Sequence, residues 1–209
     1  MFPSKFVKFG KFVKSGRIPA LSAVLALLAA PAFAHVGVDS GAGFGTGFSH
    51  PFGGLDHMLA MVAVGLWAIQ LAAKGNTRAL WLLPLSFVLP MALGFLGGYL
   101  GLALPGVELG IAVSVLALGL VVAFSFRPPL WVAMLFTTAA ALFHGHAHGA
   151  EMPETAAALS FGAGMVAATA LLHAGGIALA RLAQRAALPV LTRVAGAGVA
   201  AAGLVLLVG

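Results

Sequence analysis

From residue 55 onward, apolar positions neither alternate with polar ones nor keep to one helical face. They run on in six long stretches divided by short polar breaks. A helix that is apolar all round belongs in lipid or in a protein core. At about 1.5 Å per residue, about 20 such residues cross a bilayer's hydrocarbon region. The pattern predicts six spans: Leu55–Ala73, Ala79–Leu100, Leu109–Phe126, Pro129–His148, Ala156–Ala180 and Val194–Val208. The breaks are Lys74–Arg78, a turn around Pro105, Arg127-Pro128, Glu151–Glu154 and a longer stretch carrying Arg181, Arg185 and Arg193. Glycines inside the spans, among them Gly94, Gly98, Gly162, Gly196 and Gly198, allow close helix approach. The expected fold class is an all-α polytopic membrane protein with six transmembrane helices.

The N-terminus reads differently. Lys5, Lys8, Lys11, Lys14 and Arg17 precede an apolar run, Ala20–Ala30, and the small-x-small sequence Ala32-Phe33-Ala34. That order is a secretory signal peptide, and the run is too short to span. Residues 1–34 are therefore expected to be removed, leaving 35–209 as one six-helix transmembrane domain. The formal charge of +6 then shrinks to six basic against five acidic residues, and no reason to expect a nucleic-acid partner survives. The remaining Lys and Arg follow the first, third and fifth spans, while Asp39, Glu108, Glu151 and Glu154 fall on the other side. Cytoplasmic loops collect Lys and Arg, so both mature termini are expected outside. Composition agrees: 61% of residues are hydrophobic and 8% charged, against about 25% charged in a soluble domain. Mean hydropathy is +1.08. The absence of cysteine removes disulfides, thiolate metal sites and Cys nucleophiles.

Ionisable groups at such spans are costly and mark function by default. His50-Pro-Phe-Gly-Gly-Leu-Asp56-His57 opens the first span. Asp56 and His57 lie about 100° apart on a helix and can share an ion set to one side. Pro51, Gly53 and Gly54 let the chain bend His50 back over the same point, and Met61 lies one turn below His57. The blander reading makes Asp56 a helix cap. A second group, His144-Gly-His146-Ala-His148-Gly-Ala-Glu151, closes the fourth span on the same side. His144, His148 and Glu151 form one stripe about 60° wide, beside Gly145 and Gly149. His146 points about 160° from His148, so it faces elsewhere or serves a second site. Imidazole and carboxylate without thiolate suit divalent nickel, cobalt, zinc or copper. Should cleavage follow Ala34, the α-amino group and ring of His35 make a further chelating pair. The expected metal residues are His50, Asp56, His57, His144, His148 and Glu151, with His35 and His146 as further candidates. His173, alone in the fifth span, is either a hydrogen-bonded core residue or a later station for an ion moving inward. Glu108 reads as a solvated loop carboxylate.

At these residues the chain resembles the HupE/UreJ family of bacterial nickel permeases, associated with hydrogenase and urease gene clusters. The family's H-x-x-x-x-x-D-H pattern matches His50, Asp56 and His57. Its F-H-G-x-A-H-G-x-E pattern matches Phe143, His144, Gly145, Ala147, His148, Gly149 and Glu151, with His146 at the variable position. The cleaved signal, six spans and outer termini match as well. The resemblance implies a metal ion transporter of the bacterial inner membrane, both mature termini periplasmic, and not an enzyme. It implies nickel(II) as the transported ion and leaves cobalt(II) open. No prosthetic group is expected, and no G-x-x-x-x-G-K-[ST] loop is present to bind ATP. The expected partners are membrane lipid and a divalent metal ion; a homo-oligomer is compatible with the sequence. Two other readings compete. One is a membrane-embedded zinc hydrolase with His144, His148 and Asp56 around an activated water and Glu151 as base, although no H-E-x-x-H supports it. The other is an outer-face metal chaperone or sensor that does not conduct. N-terminal sequencing of the membrane-extracted protein is expected to read from His35. A chain beginning at Met1 or Phe2 would overturn both the cleavage and the His35 chelate.

Overall fold

The computed structural model describes residues 43–73, 75–154 and 156–209. The signal segment 1–34, His35, Asp39 and Lys74 lie outside the described residues. Among the described residues the ordered elements are helices: α1 (Phe44–Gly53), α2 (Leu55–Ala72), α3 (Ala79–Tyr99), α4 (Val107–Ala123), α5 (Leu130–Ala150), α6 (Ala158–Arg185) and α7 (Val190–Val208). Five of them, α2, α3, α5, α6 and α7, are long and apolar enough to cross a membrane. The sixth apolar helix, α4, has 17 residues, a length of about 26 Å at the short end of what spans. The chain is a multi-pass membrane protein.

The helices differ from the sequence expectation in three main respects. The third span ends at Ala123 and not at Phe126, because the chain turns at Ser125 with φ 51°. The fifth runs on past Ala180 to Arg185, so Arg181 and Arg185 are helical and Arg193 stands in the first turn of α7. Leu, Ala, Gln and Arg are all good helix formers, and Arg in a last turn complements the helix dipole. The third difference is α1, a short helix where a bend had been expected. It contains Pro51 and stops at Gly54, whose extended backbone (φ −103°, ψ 115°) starts α2 in a new direction.

Packing is set by backbone contact. α2 is the innermost helix, with Trp67, Met61, Val64 and Ala60 almost wholly enclosed. At its C-terminal end the Trp67 indole donates to the Phe126 carbonyl (2.8 Å) and the Gln70 amide to that of Val122 (2.9 Å). These bonds tie α2 to α4 side by side and in the same direction. α3 and α5 also run parallel and touch through glycine. A Cβ on Gly145 or Gly149 would strike the Met91 or Phe95 carbonyl, and one on Gly94 or Gly98 the Leu142 or His146 carbonyl. Gly65 of α2 and Gly176 of α6 meet in the same way, as do Gly119 of α4 and Ala200 of α7. In lipid such contact gains dispersion energy that larger side chains would forfeit. Gly198, by contrast, faces open space. Large apolar side chains such as Trp81, Leu89, Leu93, Trp131 and Leu135 point outward, as expected of a surface solvated by lipid.

Candidate metal centre

The two histidine motifs meet at one end of the bundle. α1 brings His50, the first turn of α2 brings Asp56 and His57, and the last turns of α5 bring His144, His148 and Glu151. Gly54 allows this crowding, because a Cβ there would press on the Asp56 carboxylate (2.8 Å) and the His57 ring (3.1 Å).

The imidazoles form a continuous row. Ring centroids lie 4.9 Å apart for His50 and His148, 4.2 Å for His57 and His148, and 4.7 Å for His57 and His144. At the mouth, ligand atoms of His50, His148 and Glu151 all lie within 4.8 Å of one another. Ligands about 2.0–2.2 Å from a common ion stand about 3–4 Å apart, so these three need to close by only about 1 Å to share one. Glu151 caps α5 and is half exposed, with His50 Nε2 3.3 Å from its carboxylate. Hydrogen bonding from His50 holds the Glu151 carboxyl below its usual range, with burial acting the other way.

Deeper in, the chemistry changes. His57, His144 and His148 are buried, and His57 Nε2, His144 Nδ1 and both nitrogens of His148 have no hydrogen-bond partner among the described residues. Each unpartnered group costs about 1–3 kcal/mol in such a place. A cation bound between the rings would offset that cost by using the lone pairs.

Asp56 touches its neighbour. One oxygen, Oδ1, accepts from the His57 amide (2.8 Å) and lies 2.9 Å from His57 Nδ1. This contact holds the ring with Nε2 turned to the cluster, the way a carboxylate commonly orients a ligating histidine. The cap reading of Asp56 is also partly realised, since its amide bond lies at the helix start. His146 is set apart: its Nε2 lies 2.7 Å from the Leu102 carbonyl, on the loop after α3. His173 lies on α6, in ring contact with none of the four histidines of the row, and His35 lies outside the described residues.

Two residues were not singled out as part of this site. Ser114 Oγ lies 2.9 Å from His144 Nε2 and fixes that ring. It is the only hydroxyl in α4, and that isolation was the available signal. Glu108, expected to be a solvated loop carboxylate, is in the first turn of α4. It shares with Asp56 an open cleft of about 260 Å³ that Leu206 and Leu207 also line.

The geometry can be set beside known proteins. The model of the family described as HupE / UreJ protein matches residues 23–206. The chain belongs to the HupE/UreJ family. Protein HupE of Rhizobium leguminosarum bv. viciae is 49% identical over 190 residues, covering 90% of this chain and 97% of that protein. No solved structure matches the chain. In this HupE/UreJ protein the two motifs quoted from the sequence supply six of the seven polar side chains described in the cluster, and Ser114 comes from elsewhere.

If the cluster binds metal, the contacts rank the residues. Asp56→Asn keeps the shape but weakens the orientation of His57, and is expected to lower nickel(II) affinity about 10- to 100-fold. His146→Ala is expected to change it less than about threefold. Equilibrium dialysis of the purified protein checks both, and equal losses would contradict the separation of His146 from the row.

Proposed function

We propose that this protein carries a divalent transition metal ion, nickel(II) before cobalt(II), across the bacterial inner membrane from periplasm to cytoplasm without ATP. The observation that carries the reading is the group of four unpartnered imidazole nitrogens buried among lipid-spanning helices beneath a carboxylate mouth. An ion leaving water loses hydration that neutral rings replace only in part, and Asp56 and Glu151 supply the missing negative charge. Family membership and the likeness to a protein named HupE support the same reading. The ligating residues we assign are His50, His57, His144, His148 and Glu151, with Asp56 orienting His57 and adding charge. Residues 1–34 act as a cleaved export signal, and the mouth faces the periplasm. That sidedness rests on the arginines: Arg78, Arg127, Arg181, Arg185 and Arg193 lie toward the opposite end of the bundle. A hydrolase would need one site with a free base, whereas Glu151 is engaged with His50.

Proteoliposomes loaded with a nickel-sensitive dye test the proposal. Wild-type protein is expected to admit nickel(II) down its gradient with no nucleotide present. Asp56→Asn and His148→Ala should each lower the initial rate by about tenfold or more. The double variant should be little worse than either single, because residues serving one ion are not additive. Rates equal to those of protein-free vesicles would contradict transport. Losses that multiply would mean two separate sites.

A further inference from the structure

The row of rings does not stop at His144. Phe87 of α3 packs against His144 with centroids 5.7 Å apart, and against His173 of α6 at 5.3 Å. Phe87 is wholly buried and His173 is 2% exposed. Neither nitrogen of His173 has a hydrogen-bond partner among the described residues. The expectation of a hydrogen-bonded core histidine is thus not met. Leu or Phe would fill the same space without the cost of two unsatisfied polar atoms. The position is also deep. His173 lies 12 residues beyond Phe161, the α6 residue whose ring touches His50, or about 18 Å further along the helix.

The neighbours of His173 have a distinct chemistry. One turn toward the mouth on α6, Thr169 donates to the Met91 thioether (3.4 Å), and Met91 stands one turn from Phe87 on α3. Both are wholly buried. Imidazole, thioether and hydroxyl are neutral donors suited to a borderline divalent ion. Neither α3 nor α6 contains an acidic residue.

We propose that His173 is a second, deeper station for the transported cation, with Met91 and Thr169 beside it and the Phe87 ring between it and the upper cluster. The inference rests on the uptake reading above. The difference in charge gives the two stations different tasks. The upper cluster, with Asp56 and Glu151, captures and dehydrates the ion. The lower one lacks a carboxylate, holds the ion weakly and lets it leave, as conduction through successive sites requires.

The test is a dissociation between binding and uptake, with nickel(II) as the probe and the full-length protein throughout. His173→Leu removes both nitrogens at similar volume. It is expected to keep tight nickel binding within about twofold and a Tm no lower than wild type, while initial uptake into proteoliposomes falls about tenfold or more. His173→Met, which restores a soft donor, should recover a measurable part of that loss. Uptake by His173→Leu within about twofold of wild type would overturn the station. So would a lower Tm with loss of tight binding, which would make His173 a packing residue. A wild type that binds nickel but admits none would contradict the uptake reading itself, and is recognised before any substitution at residue 173 is made.

Discussion

The structure turns on imidazole nitrogens held in a lipid-spanning bundle with no hydrogen-bond partner among the described residues. In water such groups cost nothing, and in a soluble core they usually find a carbonyl or a hydroxyl. Here His57, His148 and His173 keep free nitrogens at 6%, 1% and 2% exposure. His57 and His144 are each satisfied at one nitrogen, by Asp56 and Ser114. Apolar side chains would make a more stable bundle at every one of these positions. Local rules broken at a cost to stability are the usual mark of a working site.

The rest of the fold makes that arrangement possible by giving α5 faces with different tasks. Glycines four residues apart, Gly145 and Gly149, bring its backbone against α3, so close that no side chain fits between. Histidines with the same spacing, His144 and His148, then face α2 and α1. His146 lies at the edge of the α3 face, its ring beside Gly97 and its Nε2 2.7 Å from the Leu102 carbonyl in the loop after α3. The break at Gly54 does the corresponding work on the other side, because it lets α1 return over the cluster while leaving room for the Asp56–His57 pair. Two short motifs distant in sequence thereby form one row of rings.

Much of this was legible in the sequence, for a physical reason. A residue facing lipid must be apolar whatever its neighbours are, so the six hydrophobic runs marked α2 to α7 to within a few residues. The separation of His146 from His144 and His148 followed from helical geometry alone. What the sequence hid depended on tertiary contact. α1 is rich in glycine and contains Pro51, so its local propensity argues against a helix. It is stabilised by contact with α6, where Gly47 lies against the Phe161 backbone and Gly164 against that of Phe44. Phe44, Phe48 and Phe52, four residues apart with neighbouring rings in contact, were the one periodic sign. The bond between Asp56 and its neighbour, and the meeting of Phe87 with two histidines, depend on side-chain direction and on which helices adjoin. No spacing rule supplies either.

The most direct test of the central claim is nickel K-edge X-ray absorption on the purified, nickel-loaded protein. The expected spectrum has nitrogen neighbours near 2 Å with the outer-shell scattering of two or more imidazoles, as for ordinary histidine ligation, and that scattering diminishes in His148→Ala. A shell of oxygen alone, unchanged by His148→Ala, would mean that the buried nitrogens do not hold the ion.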